Sequence, residues 1–249
     1  MTIKQKKIIA IIGAQGLVGS ELTKVINAKT NLTCVEVVRG DNFAVKLQNV
    51  DYVIHAANSP KRYEAELNQQ MDYEESVVKT AKLIDACKGA GARLLLISSI
   101  SARTQLNTVY GRHRHACELM VLQAGCVVVR LGYMFSKQKI YGALSNIVNN
   151  EDVFLDPTSE YSYSDVSWNA NKIVELLLTE GRGVVELGAN GSITLQVIAD
   201  LTSSTSVFKS DTIDIQIAQC DIKDRPKIQE FQDYLIGISA NDKEIISKG

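Results

Sequence analysis

Short apolar runs rich in isoleucine and valine alternate along this chain with segments whose apolar residues recur at helical spacing. "KKIIAIIG" reads as a first strand and Gly16 to Ala28 as the first helix, with "LTCVEVV" and "DYVIHAA" as the next strands. One long helix is predicted from about Arg62 to Gly89. It stops at "KGAGA", where Gly89 and Gly91 can supply the left-handed turn that closes helices. The strand "RLLLISS", a helix over Val109 to Gln123 and the strand "CVVVRLG" follow. These strands are apolar almost throughout rather than alternating, as a parallel sheet covered on both faces requires. The predicted fold class is α/β, a Rossmann-type doubly wound parallel sheet.

After about Phe135 the texture changes. "YGALSNIVNNEDVFL" predicts a short helix and a strand, and "SDVSWNANKIVELLLTEG" an amphipathic helix that holds the sole tryptophan, Trp168. "GVVELG" reads as a strand and "ITLQVIADLTSS" as a helix with Thr194 as N-cap, with a frayed tail from about Asn241. The pattern predicts a core over 1–135 and a smaller region over 136–249, partly interleaved with it.

Composition narrows the class. Of 249 residues, 45% are hydrophobic, enough for a real core, and the net charge of −1 points away from nucleic acid and from anionic membranes. The longest apolar runs are too short to cross a bilayer. The start "MTIKQKKIIAIIG" resembles a signal peptide in charge pattern, but it passes straight into a glycine turn and reads as a buried strand. Five scattered cysteines (Cys34, Cys87, Cys117, Cys126, Cys220) with no C-x-x-C fit neither a metal site nor a disulfide framework. They read as small buried hydrophobes of a reduced, cytoplasmic protein.

Two stretches carry chemistry. "GAQGLVG" sets Gly13, Gly16 and Gly19 between a strand and a helix, where the chain must turn tightly and approach a pyrophosphate at the helix N-terminus. "TVYGRHRHACE" sets Tyr110 and Arg114 four residues apart, hence on one helix face. A tyrosine with a pKa near its usual ~10 is a poor base at neutral pH. A fixed positive charge beside a phenol favours its anion, and such a tyrosine can move a proton to or from a hydroxyl or carbonyl. His113 and His115 are two apart and face different ways, so "HRH" reads as solvated helix surface and no metal site is assigned. His55 reads as a structural or cofactor-floor residue of its strand.

In order along the chain, the glycine turn, "DYVIHAAN", "LLLISSISA", "YGRHRHACE", "VVVRLGYMF" and the late segments resemble the short-chain dehydrogenase/reductase superfamily, in its extended epimerase/dehydratase or atypical branch. The resemblance covers almost the whole chain. It implies an NAD(P)-dependent oxidoreductase or epimerase acting on a hydroxyl or carbonyl carbon, of a sugar or nucleotide-sugar. The implied catalytic residues are Tyr110 as acid/base, Arg114 as its electrostatic partner and ribose contact, and Ser99 as donor to the substrate oxygen, with Ser98 and Ser101 as alternatives. The cofactor contacts it implies are Gly13, Gln15, Gly16, Leu17, Val18 and Gly19 in the turn, and Ala56 and Ala57 after the third strand. Arg39 or Asp41 would meet the adenosine ribose; Tyr110, Arg114, Tyr133 and Met134 would lie at the nicotinamide end.

The chain departs from that family in three places. Arg114 stands where the family has lysine, and Asp72 where it usually has asparagine. Only "GDNFAVKLQNV" separates "LTCVEVV" from "DYVIHAA", where the family fits a further helix and strand. Either that region is cut down or "LTCVEVV" takes another place in the sheet. Arg39 suits a 2′-phosphate and favours NADP, whereas Asp41 would suit NAD. Tyr133, Met134, Lys137 and Tyr141 are candidate substrate contacts, and "DPTSEYSYSD" lines a sugar site or is a surface loop. The rival reading is a non-catalytic NAD(P)-binding sensor or assembly protein of the same fold; a weaker one is a binding protein that takes no nucleotide. Homodimer pairing through the long helices is common in the group resembled.

Overall fold

The computed structural model describes residues 6–29, 31–57, 62–136 and 140–240. The chain divides into two compact units, 1–130 with 167–185, and 131–166 with 186–249. In the first unit, β1 (Lys7–Ile12) leads through the glycine turn into α1 (Leu17–Asn27). Then come β2 (Leu32–Val37), the four-residue α2 (Phe43–Lys46) and β3 (Tyr52–His55). α3 (Arg62–Leu67) and α4 (Gln69–Tyr73) run into a π-helical turn (Glu74–Val78) and α5 (Lys79–Ala90). β4 (Arg93–Ser99), α6 (Ser101–Thr104), α7 (Val109–Gln123) and β5 (Val127–Leu131) follow. The second unit takes β6 (Met134–Phe135), α8 (Gly142–Val148), β7 (Glu160–Tyr161) and β8 (Ser164–Asp165). α9 (Val166–Leu178) returns to the first unit and β9 (Gly183–Leu187) straddles the division; β10 (Ile193–Thr194), α10 (Leu195–Leu201), β11 (Ile215–Gln216) and α11 (Ile228–Ala240) lie in the second.

The main sheet has the order β2-β1-β3-β4-β5-β9, a Rossmann-like arrangement in which β1 runs parallel to both β2 and β3, and β3 to β4. Its interior accounts for the unbroken apolar runs. Ile9, Ile11, Val53, Ile54, Leu95 and Val128 are fully buried, each contributing about 2 kcal/mol of apolar burial. Register aligns Ile12 with Val37 on one side and His55 on the other, so the segments after all three strands emerge side by side. "LTCVEVV" keeps its place beside β1. The connection to β3 is what has been cut down, to a single turn of helix, and β2 is left as the sheet edge.

The long helix expected over Arg62 to Gly89 is not continuous. Asn68, at φ −131° and ψ 65°, separates α3 from α4, and the π turn with its wider spacing separates α4 from α5. Gly89 is helical, and Gly91 alone supplies the left-handed close, at φ +68°. Thr108 caps α7 by accepting from the Gly111 N–H, and Thr194 caps α10 by accepting from Val197 at 3.3 Å. The strand expected in "EDVFL" amounts to one bridge, Val153 to Phe208.

The second unit is built on aromatic packing, with Tyr163 stacked on Phe231 at 4.2 Å and Phe135 beside it. There β11 reverses the usual alternation. Asp214 and Gln216 point inward, where Asp214 accepts the Tyr161 hydroxyl at 3.0 Å, and Ile213 and Ile215 face outward. Among the described residues no helix is long and apolar enough to cross a membrane.

Candidate nucleotide and catalytic site

The aligned ends of β1, β2 and β3 open onto a cavity of about 650 Å³ within the first unit. Gly13, Gln15 and Gly16 form one wall, Val38, Arg39 and Asp41 another, and Ala57 the floor; Asp72, Glu75 and Lys79 close it from the helices. The three glycines differ in what surrounds them. Gly13 has φ +88°, and a Cβ there would lie 2.9 Å from the Ala57 Cα. A Cβ on Gly19 would lie 2.0 Å from the Gly13 carbonyl oxygen, so only glycine lets α1 fold back on the turn. A Cβ on Gly16 would meet only the Gly13 oxygen, at 3.5 Å. The protein packs nothing against that position, and the cavity-facing start of α1 is left open. Gly16 is the N-cap and makes no side-chain cap, so the free N–H groups of the first turn, with Leu17 and Val18 half-buried on it, are available to an anion. The cradle fits a dinucleotide pyrophosphate.

Beyond β2 the two candidate ribose residues differ. The Asp41 carboxylate accepts the Val38 N–H at 2.9 Å and lies 3.5 Å from Lys46 Nζ, so it stabilises its own turn. Arg39 is exposed, with one guanidinium nitrogen 3.5 Å from Glu75 Oε2. The same Glu75 oxygen accepts from Lys79 one helical turn on. The Lys79 hydrogen bond, with the charges of Lys79 and Arg39, holds the Glu75 carboxyl below the usual carboxylate range.

Tyr110 lies in the first turn of α7, packed with Val109 and Ala65. The Arg114 guanidinium carbon is 5.1 Å from its ring centroid, so the structure brings this pair together as helical spacing predicts. Arg114 is only 1% exposed. One terminal nitrogen donates to the Ser76 hydroxyl in the π turn, whereas Nε and the other terminal nitrogen have no partner among the described residues. Of the serines after β4, Ser98 is committed elsewhere: it donates to Glu118 at 2.6 Å in a buried group with Arg130. Ser99, half-buried at the strand's end, lies 3.2 Å from the Ser101 hydroxyl and accepts the Ser101 N–H. Tyr110, Arg114 and Ser99 stand outside the lining of the cavity. Ala56 is half-buried beside Ala57. Tyr133 and Met134 belong to the second unit, where the Tyr133 ring packs on Tyr161 at 4.2 Å and Met134 pairs with Ser164. Tyr141 is the N-cap of α8, and Lys137 lies outside the described residues.

One histidine corrects the surface expectation. His113 Nδ1 is 2.6 Å from Asp72 Oδ2, and its ring meets Tyr73 edge-on at 5.6 Å, because α4 packs against this face of α7. Asp72 is 4% exposed, and its other oxygen has no partner among the described residues. His55 is fully buried with neither ring nitrogen bonded among the described residues, and burial, with the charges of Arg114 and Lys79, pushes its pKa down to about 3. Above pH 6.5 neither folded nor unfolded chain protonates this ring. Below that, the unfolded chain takes up a proton that the folded chain refuses, so stability falls by about 1.4 kcal/mol per pH unit until pH nears 3. Wild type is therefore expected to lose about 2 kcal/mol more than His55→Leu between pH 6.5 and pH 5, read from urea unfolding. Equal losses would show that the histidine is solvated.

Asp72, Glu75 and Lys79 were not read from the sequence as parts of a nucleotide site. In an unbroken α-helix their spacing, i, i+3 and i+7, would place them on one face, and that was the available signal.

The sequence model of the NAD dependent epimerase/dehydratase family matches residues 9–169. Among solved structures, this chain is similar to UDP-N-acetylglucosamine 4-epimerase from Methanobrevibacter ruminantium M1 in complex with UDP-N-acetylmuramic acid. That likeness has TM-score 0.75 and 17% identity, over 95% of this chain and 98% of that one. It is also similar to dTDP-4-dehydrorhamnose reductase from Bacillus anthracis in complex with NADP, with TM-score 0.75 and 16% identity, over 94% and 98%. At these identities the likeness shows the fold. A search of curated proteins finds no match.

Proposed function

The chain belongs to the NAD dependent epimerase/dehydratase family, and from that membership we propose that it is an NADP-dependent oxidoreductase or epimerase acting on a hydroxyl or carbonyl carbon of a sugar or nucleotide-sugar. The observation that carries this reading is the glycine cradle opening onto a cavity with Arg39 at its edge. Gly13, Gln15 and Gly16, with the N–H groups of Leu17 and Val18, hold the pyrophosphate, while Ala56 and Ala57 lie beneath it. Because Asp41 is tied to Val38 and Lys46, Arg39 is the group at the end of β2 that meets the adenosine ribose, and its charge matches a 2′-phosphate. The bound nicotinamide supplies or accepts the hydride. Tyr110 moves the proton, Arg114 keeps a positive charge beside the phenol, and Ser99 holds the substrate oxygen. The two named neighbours, an epimerase and a reductase of nucleotide-sugars, support the substrate class.

A second reading, a non-catalytic NADP-binding sensor or assembly protein, is favoured by one observation. Arg114 is buried and directed to Ser76. Side-by-side fluorescence titrations with NADPH and NADH test the shared part of both readings. Arg39→Ala is expected to weaken NADPH about ten-fold or more, the worth of one charge-assisted contact to phosphate, and to leave NADH within about two-fold. A preference for NADH would transfer the ribose role to Asp41, and binding of neither would remove the nucleotide site.

A further inference from the structure

Glu75 does what no residue of a simple NADP site needs to do: its carboxylate holds both cations of the cavity wall. Arg39 reaches it at 3.5 Å from the segment after β2, and Lys79 contacts the same oxygen from the first turn of α5. All three line the cavity. The two basic groups come from separate elements and meet on one acidic oxygen. Taking the cavity as a dinucleotide site, as proposed above, we infer that Glu75 is an internal stand-in for the 2′-phosphate of NADP and sets how strongly NADP is preferred over NAD.

The physics is a competition. A 2′-phosphate that pairs with Arg39 must enter within a few ångströms of the Glu75 carboxylate, and it must draw Arg39 and Lys79 away from it. The incoming dianion therefore meets like-charge repulsion as well as two partially satisfied cations. NAD, with a neutral 2′-hydroxyl, meets neither obstacle. Its hydroxyl can donate to the carboxylate, which accepts but cannot donate. In this arrangement Arg39 attracts NADP while Glu75 limits the attraction, so the pair makes the protein tolerant of both nucleotides. Neutralising the carboxylate frees both cations for phosphate without disturbing the glycine cradle. Glu75 is 37% exposed in its side chain and is no part of the apolar core, so its replacement leaves the fold intact.

The test compares wild type, Glu75→Gln and Glu74→Gln by titration with NADPH and with NADH at fixed ionic strength. Glu74 is the control because it carries the same charge one residue away, is bonded to Gln70, and is absent from the cavity wall. Glu75→Gln is expected to tighten NADPH roughly ten-fold while changing NADH by less than about two-fold, since the lost repulsion acts only on the phosphate. Glu74→Gln is expected to change neither by more than about two-fold. If Glu75→Gln leaves the NADPH-to-NADH ratio of wild type unchanged, or if Glu74→Gln shifts it equally, the stand-in role is overturned while the nucleotide site stands. If wild type binds neither nucleotide, the reading of the cavity itself fails, and the role of Glu75 with it.

Discussion

Tyr110→Phe is expected to lower turnover on any accepted sugar substrate roughly a hundred-fold to ten-thousand-fold, the usual contribution of a positioned proton donor. The aromatic ring stays packed with Val109 and Ala65, so the melting temperature and NADPH binding should match wild type. That separation makes the result interpretable: loss of kcat with unchanged nucleotide affinity is what removal of a transition-state proton transfer produces. The Arg114 guanidinium, 5.1 Å from the ring and only 1% exposed, keeps a buried positive charge beside Tyr110. Unchanged turnover in the phenylalanine variant would end the acid/base assignment. A wild type that binds NADPH tightly but turns over no sugar or ketone would favour the sensor reading, in which Arg114 serves to pin α7 to the π turn through Ser76.

The largest stability effect is expected at Glu118, which touches no part of the cavity. This carboxylate is 1% exposed and takes two hydrogen bonds from Arg130, at 2.9 and 2.6 Å, and one from Ser98 at 2.6 Å. It thereby ties α7 to β5 and to β4 under the candidate catalytic helix. Glu118→Ala removes the carboxylate that accepts two hydrogen bonds from a largely buried guanidinium and is expected to cost about 3 kcal/mol or more. Urea unfolding monitored by circular dichroism measures it directly. A loss below about 1 kcal/mol would mean that the guanidinium is solvated once the carboxylate is gone. The same network explains the choice among the serines: Ser98 belongs to the scaffold, which leaves Ser99 as the hydroxyl at the end of β4.

Several elements were legible because their cause is local. The fully apolar strands, the Thr194 cap, and the left-handed Gly91 each follow from a residue and its immediate neighbours. The break in the Arg62–Gly89 segment was not legible. Its apolar spacing is helical throughout, and the π turn becomes apparent only with Ser76 buried against an arginine 38 residues away. His113 was misread for a similar reason. Spacing on one helix says which residues share a face, but not that α4 covers that face and brings Asp72 to 2.6 Å.

The sequence by itself determined the parallel α/β architecture, the glycine turn between the first strand and the first helix, and the pairing of Tyr110 with Arg114. All of these are set by periodicities and backbone rules that act within one element or between consecutive ones. Only the tertiary structure decided that β2 is the sheet edge, that Asp41 caps its own turn while Arg39 reaches Glu75, and that one glutamate gathers two cations. Those outcomes depend on which distant groups compete for the same donor or charge, and that competition is resolved by packing in three dimensions.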